Sequence, residues 1–455
     1  MMGARGGRTP ASTTHRCLIE PVHGEPHGLW GECHSLALPM SDPDWRTLPR
    51  MLGPAYLVAV GYMDPGNWAT DLAAGSRYGF RLLWVVALSS LIAMLLQTLC
   101  CRLGIATGMD LAQACRRLLP GRWRVPLWLL AEVAIVACDL AELVGSAIAL
   151  QLLFRIPLPW GGLLTAADTL LLLALQRFGA RQLEALVIAL VALVSACFAL
   201  ELLMLRPHWP SVAAGLIHDP GGLREGSQLF LAAGILGATV MPHNLYLHSA
   251  LMRTRRWPEH PLAPHWALRF ATVDALLALL LAFLVNAAIL VLAGGAFHGV
   301  VGQPVEDLSQ AYHLLTPLLG TSLASVLFGV GLLAAGQSST LTATLAGQVV
   351  MEGFLDLRLP GWQRRLLTRC LALIPALATV LLLGDQATNR LLVLSQVVLS
   401  VQLPFAVIPL VLFCGRRGLM GELVAPRWLQ GLGWACAAVI VLINGSLLLG
   451  ALRGA

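Results

Sequence analysis

The sequence predicts an all-α membrane protein of about eleven transmembrane helices, from three observations. The 455 residues are 57% hydrophobic and only 12% charged, whereas a soluble protein carries about 25% charged residues. Apolar runs of roughly 20 residues, long enough to cross a bilayer, recur along the whole chain. The first and the sixth of these runs are interrupted by proline and polar residues.

The eleven segments follow one another without an intervening soluble domain. In chain order they cover residues 52–76, 82–101, 126–153, 160–176, 183–205, 228–251, 270–296, 321–351, 366–384, 390–413 and 430–452. We predict a disordered N-terminal tail at 1–44 and a single transmembrane domain at 45–455. Within that domain, helices 1–5 cover about 50–205, helices 6–10 about 227–413 and helix 11 about 430–452.

The distribution of arginine supports this segment count. The sequence has no lysine, and with a cytoplasmic N-terminus 23 of its 30 arginines fall in cytoplasmic regions. Membrane proteins carry such an excess on the cytoplasmic side, and one missed segment would reverse every later loop. High arginine and alanine content without lysine indicates a GC-rich bacterial genome, so we predict a bacterial inner-membrane protein with its N-terminus in the cytoplasm and its C-terminus in the periplasm. The net charge of +6 then reflects topology and does not indicate a nucleic-acid partner.

The interruptions of segments one and six are alike. Residues 64–67 read Asp-Pro-Gly-Asn, and residues 241–243 read Met-Pro-His. Pro65 and Pro242 lack a backbone N–H, and Gly66 turns without steric cost, so we expect roughly one or two unwound turns at mid-membrane. Such backbone must line a cavity or be buried in protein. Paired broken helices are typical of secondary transporters built from inverted repeats, here 5+5 with segment eleven outside the repeat.

The groups at the two breaks suit a transition-metal ion. Asp64 offers a carboxylate, Asn67 an amide oxygen one turn later, and Met241 a thioether, while the prolines free carbonyls near Gly61 and Ala238. Oxygen ligands alone suit Mg²⁺ or Ca²⁺, whereas a thioether favours softer metals. A single methionine usually packs in a core and a single proline usually kinks a helix. Their occurrence together at equivalent places in both halves favours a binding site.

Segment three carries three acids on one helical face. Glu132, Asp139 and Glu142 are spaced by 7 and 3 residues, which aligns them on an α-helix. Acids in a membrane helix seldom face lipid. They form either a buried structural network with arginine or a path for protons from Asp64 toward the cytoplasm, with Arg369 of segment nine as a partner.

Two histidines follow the second break and also belong to this predicted proton pathway. His243 and His248 titrate, when unperturbed, in the physiological pH range. Asp64 is an equally good first proton acceptor, because a metal ligand must be deprotonated when the metal binds. The sequence leaves Asp64 and His243 open as alternatives.

Taken in order, these motifs resemble the Nramp family (natural resistance-associated macrophage protein). Beyond residues 64–67 and 241–243, the resemblance is carried by Leu103–Gly108, Asp139–Glu142, Tyr246–Ser249, Gly336–Thr340, Ala346–Gln348 and Ser395–Ser400. It extends over roughly residues 45–452. It implies a LeuT-like fold and proton-coupled import of divalent transition metal, chiefly Mn²⁺ and Fe²⁺, by alternating access.

The resemblance also implies the site residues. The family's metal ligands map onto Asp64, Asn67, Met241 and the carbonyl of Ala238, with the carbonyl of Gly61 and the side chain of Gln396 added in some conformations. Gly61 replaces the alanine that many members carry, a change that a carbonyl ligand survives. Met241 is retained, which argues against the magnesium-transporting relatives. Acids and an arginine at the matching positions line a polar proton path in the family.

Other functions need chemistry that the sequence does not offer. An organic-substrate transporter of the same fold would lack the carboxylate and thioether pair. A channel or sensor would need a ring of like charges or a regulatory domain, and an enzyme would need a hydrolytic or redox constellation. A broader divalent transporter that includes Mg²⁺ is the nearest alternative. We expect no enzyme activity, no resident cofactor, metal ions and protons as the transported ligands, and a monomer in the bilayer.

Overall fold

A computed structural model of the chain describes residues 36–37, 53–175, 180–217, 226–256, 263–357, 361–383 and 385–452. The helices of the first half are α1 (Pro54–Ala59), α2 (Pro65–Tyr78), α3 (Leu83–Thr107), α4 (Leu111–Leu118), α5 (Arg124–Phe154), α6 (Leu158–Leu175), α7 (Ala180–Leu205) and α8 (Trp209–Ala214). The remainder are α9 (Gly226–Val240), α10 (Pro242–Leu251), α11 (Ala263–Ala296), α12 (Leu308–Leu319), α13 (Ser322–Leu355), α14 (Gly361–Leu383), α15 (Asp385–Cys414), α16 (Arg417–Met420) and α17 (Arg427–Leu452). Short 3₁₀ turns cover Val60–Met63, Gly121–Trp123, Met252–Thr254 and Gly421–Leu423.

Each of the eleven predicted segments corresponds to a helix or to a pair of helices, which confirms the all-α fold class. Segment one is α1 with α2, and segment six is α9 with α10. Within the described residues, 8 helical spans are long and apolar enough to cross a membrane on length and composition alone. The other three predicted segments are the broken first segment and the fourth and ninth, whose helices are described only in part.

Two short strands are the exception to the helical pattern. β1 (Leu36–Ala37) pairs in parallel with β2 (Arg255–Arg256), with Leu36 opposite Arg255. The remainder of the predicted tail at 1–44 lies outside the described residues, so its disorder stays a prediction.

The first break is enclosed by neighbouring helices at very short range. A Cβ atom built on Gly145 of α5 would lie 2.1 Å from the Cβ of Pro65, so only glycine allows this approach. Next to the break, Trp68 donates from Nε1 to the carbonyl of Met63 at 3.1 Å. The Trp68 ring also packs edge-on against Phe328, with ring centroids 5.2 Å apart. The packing therefore fixes α2 relative to α5 and α13.

Candidate metal site

The helix break in segment one has about the predicted length, whereas the break in segment six is shorter than we predicted. In segment one the chain passes from α1 through the 3₁₀ turn Val60–Met63 to Asp64, which is extended at φ −69° and ψ 165°. In segment six only Met241, at φ 36° and ψ 101°, separates α9 from α10. The expectation of one or two unwound turns was wrong for segment six. Proline explains the short break, because its fixed φ suits the first position of a new helix, which begins at Pro65 and Pro242.

The prolines free the two predicted carbonyls. In a continuous helix each carbonyl accepts from the N–H four residues later, and for Gly61 and Ala238 those residues are Pro65 and Pro242. Neither proline has an N–H to donate. The carbonyl of Ala238 instead accepts from Asn67 Nδ2 at 3.1 Å, across 171 residues of chain. This hydrogen bond joins the two breaks directly.

Asp64 is the buried charge at this junction. Its Oδ1 accepts from the backbone N–H of Asn67 and from Asn67 Nδ2, both at 2.8 Å. Its Oδ2 has no hydrogen-bond partner among the described residues, although the side chain is fully buried. An uncompensated buried carboxylate oxygen is costly. The NH₂ of Asn67 thus lies between two predicted ligand oxygens, Asp64 Oδ1 and the Ala238 carbonyl, and a cation held there would require the Asn67 amide to turn its oxygen inward.

Met241 brings its sulfur to the same junction in an unusual backbone conformation. Its positive φ is rare for a residue with a side chain and persists only where the surroundings enforce it. The side chain is fully buried against a small apolar cluster made up of Ala134, Cys138, Ala343 and Leu399. Its Sδ accepts from Asn244 Nδ2 at 3.5 Å. The thioether is therefore held in a defined place.

Gln396 approaches the first break from α15. It is fully buried, and a Cβ built on Gly66 would lie 1.8 Å from its Nε2, so Gly66 is what admits the amide. The Oε1 of Gln396 has no hydrogen-bond partner in the described part of the chain. The structure also gives Gly61 a packing role, because a Cβ there would lie 2.4 Å from Asn244 Nδ2.

Two of the three predicted acids lie close to the break. Glu142 accepts from Thr340 Oγ1 at 3.1 Å and from Cys138 Sγ at 3.5 Å. Cys138 is also within electrostatic range of Asp64 and Asp139. Because Asp139 and Glu142 are both buried, α5 presents a cluster of acids beside the candidate metal ligands.

Glu132 lies further along α5, and Arg369 cannot be placed. Glu132 is half-buried and accepts from Trp128 Nε1 at 3.1 Å. Ten residues of helix, about 15 Å, separate it from Glu142. The side chain of Arg369 lies outside the described residues, so its partnership with the acids stays a prediction.

The two histidines occupy different surroundings. His243 is buried within electrostatic range of Asp139, and neither of its ring nitrogens has a hydrogen-bond partner among the described residues. His248 faces α3 instead, where its Nδ1 lies 2.8 Å from Gln97 Oε1 and its Nε2 lies 3.4 Å from Cys101 Sγ. His243 therefore adjoins the acids of α5, whereas His248 belongs to a second network.

Comparison with known proteins identifies the family. The family model for natural resistance-associated macrophage protein-like (Nramp) proteins matches residues 55–450. This chain belongs to the Nramp family. Among its relatives, the divalent metal cation transporter MntH of a Nostoc species is 56% identical over 420 residues, which are 92% of this chain and 95% of the relative. The divalent metal cation transporter MntH 1 of Pseudomonas aeruginosa is 56% identical over 416 residues, 91% of this chain and 94% of the relative.

Solved structures agree with this assignment. A crystal structure of an Eremococcus coleocola manganese transporter variant matches with a TM-score of 0.85 and 38% identity, covering 93% of this chain and 92% of that one. The structure of MhsT with L-phenylalanine matches with a TM-score of 0.56 at 16% identity, over 86% of this chain and 98% of that one. The latter likeness concerns the fold alone. The LeuT-like architecture expected of an Nramp protein is confirmed.

Sequence reasoning missed Asn244 and the network around Gln97. Asn244 follows Met241 by three residues, as Asn67 follows Asp64, and each amide donates to the residue that opens its helix. That repeated spacing was a usable signal. Gln97 lies in α3, donates to the Tyr62 hydroxyl at 2.5 Å and contacts His248. Nothing local in the sequence distinguishes a single glutamine that acquires its partners through packing.

Proposed function

We propose that this Nramp protein imports divalent transition-metal ions, chiefly Mn²⁺ and Fe²⁺, together with protons, across a bacterial inner membrane by alternating access. The observation that carries the proposal is the junction of the two breaks. Asp64 Oδ1 and the Ala238 carbonyl both accept from one amide, and the Met241 sulfur is held beside them by Asn244. The relatives named as divalent metal cation transporters support it.

The ligand types support a transition metal over an alkaline-earth ion. Carboxylate, carbonyl and amide oxygens accept any divalent cation, but the thioether adds stabilisation only for softer ions. No group of three or more His, Cys, Asp or Glu side chains suited to a metal occurs in the described part of the chain. A weak, mixed ligand set suits an ion that must also leave, as transport requires.

The acids on α5 support coupling to protons. Asp64 must be deprotonated when it ligates a metal, so a proton that it carries is released as the metal enters. Asp139 and Glu142 are buried on α5, where Cys138 lies within electrostatic range of both acids and of Asp64, and His243 adjoins Asp139. These groups offer the proton a route along α5 in the direction of Glu132.

Alternating access is supported by the closure of the site. Asp64, Asn67, Met241 and Gln396 are each at most 1% exposed, so an ion reaches them only after helices move. The breaks at Asp64 and Met241 are the places where half-helices can tilt without disrupting a continuous hydrogen-bond ladder.

The test is metal uptake by proteoliposomes that enclose a pH-sensitive dye. We expect Mn²⁺ uptake with internal acidification, unaffected by excess Mg²⁺ and abolished in Asp64→Ala, provided that the variant elutes as the same monodisperse species as the wild type. Mn²⁺ uptake without internal acidification would support the metal site and contradict the coupling to protons. Mg²⁺ uptake comparable to that of Mn²⁺ would shift the assignment to the broader divalent transporter.

A further inference from the structure

A groove of about 950 Å³ lies on the outside of the helix bundle, between α3, α11 and α17. None of the candidate metal ligands or proton-pathway residues lines it. The groove is closed at one end by the 3₁₀ turn Gly421–Leu423, which precedes α17. It is therefore a separate feature of the surface that meets the membrane.

The walls of this groove change from apolar to basic along its length. Leu91 and Leu276 form the apolar end and are 62% and 41% exposed, as lipid-facing residues are. Arg102 and Arg269 form the other end. On their helices the arginines lie 11 and 7 residues from the leucines, so about 16 Å and about 10 Å separate the two ends. The groove thus has the polarity of a lipid, with one charged end and one hydrocarbon end.

The basic end contains positive charge for which the described residues offer no full set of partners. Arg269 lies over the Trp266 ring at 5.4 Å and has no ion pair within the described residues. Arg102 donates from Nη1 to the carbonyl of Leu423 at 2.9 Å, while its buried Nε has no partner among described residues. The acid that lines the groove, Glu422, lies 3.6 Å from a ring nitrogen of His265.

The position of the basic end within the membrane follows from its aromatic residues. Trp266 and Trp428, the latter 67% exposed, lie at this end of the groove, and tryptophan is enriched at the level of lipid head groups. Both arginines belong to the side that the arginine distribution assigns to the cytoplasm. Basic pockets between transmembrane helices on that side bind anionic lipid head groups.

We propose that this groove binds one anionic diacyl phospholipid of the cytoplasmic leaflet, with its phosphate at Arg269 and Arg102 and an acyl chain along Leu91 and Leu276. A soluble anion would gain nothing from the lipid-facing apolar wall, and a zwitterionic lipid would leave the arginines without a net negative partner. The bound lipid joins α17, which lies outside the 5+5 repeat, to α3 and α11. The proposal does not depend on which ion the protein transports.

The test is native mass spectrometry of the purified, delipidated full chain titrated with phosphatidylglycerol or with phosphatidylcholine of the same acyl chains. We expect one tightly bound phosphatidylglycerol and weaker phosphatidylcholine binding. Arg269→Gln should weaken phosphatidylglycerol binding about fivefold, which corresponds to about 1 kcal/mol for one basic residue near a membrane surface.

Arg416→Gln is the matched control. Arg416 is also exposed and also lies over an aromatic ring, that of Phe413 at 5.8 Å, but it does not line the groove. A second variant, Val273→Trp, fills the groove without changing charge and should exclude either lipid, with an unchanged melting temperature in detergent as the check of folding. Equal affinity for the two lipids, no bound phosphatidylglycerol, or equal losses in Arg269→Gln and Arg416→Gln would each overturn the proposal.

Discussion

Pro65 and Pro242 determine which carbonyls of this chain remain available to a cation. Each removes the donor that a carbonyl four residues earlier would otherwise use, and each begins a new helix at once. The flanking side chains then differ between the halves, with the carboxylate of Asp64 in one and the thioether of Met241 in the other. A proline-initiated helix, used twice, therefore places one hard and one soft candidate ligand at the proposed metal site.

The contribution of the thioether is tested by Met241→Ala. We expect the variant to retain part of its Mn²⁺ uptake and to admit Ca²⁺ or Mg²⁺ more readily, because only oxygen ligands remain. Alanine and methionine meet the same strain at φ 36°, so the comparison isolates the sulfur. Competition uptake in proteoliposomes measures it, with the buried Met351→Ala as control. Unchanged selectivity in Met241→Ala would refute the thioether argument.

Asn244 is a second residue whose role can be separated from folding. Asn244→Ala removes the amide that donates to Met241 Sδ at 3.5 Å and should raise the KM for Mn²⁺ about fivefold, as expected for one net hydrogen bond of about 1 kcal/mol. Asn389→Ala is the control, since Asn389 is also buried and donates to the Glu306 carbonyl, outside both broken segments. A higher KM in both variants would mean that Asn244 acts only through stability.

At the two breaks the sequence indicated which residues meet, whereas their role as metal ligands stays a prediction. Asp64, Asn67 and Ala238 are brought into contact as expected, because the two motifs lie at equivalent positions of the repeat. The orientation of the Asn67 amide and the pairing of Gln97 with His248, 151 residues apart, could not be predicted. Both depend on how the helices pack against one another, and a single sequence has no periodic pattern that indicates which side chains will meet.

At the scale of elements, the first break is shaped by the helices around it. Gly145 of α5 and Gly336 of α13 both approach Pro65, with Cβ positions 2.1 Å and 3.5 Å from atoms of its ring. Small residues allow membrane helices to approach closely. The sequence showed a break in segment one but not that segments three and eight carry the glycines that hold it.

Gly145→Ala tests whether this packing matters for transport. Its new methyl group would meet the rigid Pro65 ring, so we expect Mn²⁺ uptake to fall more than about tenfold as the break is displaced, in line with the cost of small misplacements in functional sites. Gly445→Ala in α17 is the matched control, because a Cβ there meets nothing within 4 Å. Equal uptake rates in the two variants would show that the break tolerates displacement.

Asp110 links α4 to the end of the second broken segment. It caps α4 by accepting from the Gln113 N–H at 2.8 Å, and its Oδ2 lies 3.6 Å from Arg253 Nη1, just beyond α10. Burial raises the pKa of Asp110 to about 6, although the Gln113 N–H and the Arg253 charge act in the opposite direction. The folded protein therefore holds this proton more strongly than the unfolded chain does.

The sign of the resulting pH dependence follows from that raised pKa. The stabilisation that protonated Asp110 gives the folded protein is fully present below about pH 4 and is lost as the pH rises through about 6. Asp110→Asn has no proton to lose at this position. We expect the melting temperature of the wild type, relative to Asp110→Asn, to fall between about pH 4 and pH 6.5. A constant or rising difference would contradict the assignment.

At the scale of the whole molecule, the contacts between loops sort into two ends. One end joins Arg253 with Asp110, Arg116 with Asp356, Arg124 with the carbonyls of Phe354 and Leu355, and Arg102 with the carbonyl of Leu423. The other end joins Arg77 with Glu306, His298 with the Ser76 carbonyl, the Trp84 N–H with the Gly215 carbonyl, and Asn389 with the Glu306 carbonyl. The first group lies in regions predicted to be cytoplasmic, and the second in regions predicted to be periplasmic. The segment count could be predicted because hydropathy and charge are local properties, whereas these individual partners could not.

Single introduced cysteines can decide which end of the full-length protein faces the cytoplasm. Gly302 lies between α11 and α12 and Gly418 lies in α16, and a Cβ at either position meets nothing within 4 Å. With the ten native cysteines replaced, Gly302→Cys should react with a membrane-impermeant maleimide in cells with a permeabilised outer membrane. Gly418→Cys should react only after the inner membrane is broken, because the arginine excess retains its side in the cytoplasm. Reversed labelling would mean that the orientation is opposite to the predicted one, with the lipid groove in the outer leaflet and the Glu132 end of α5 away from the cytoplasm. Equal labelling of the two cysteines would mean that the eleven-segment count is wrong.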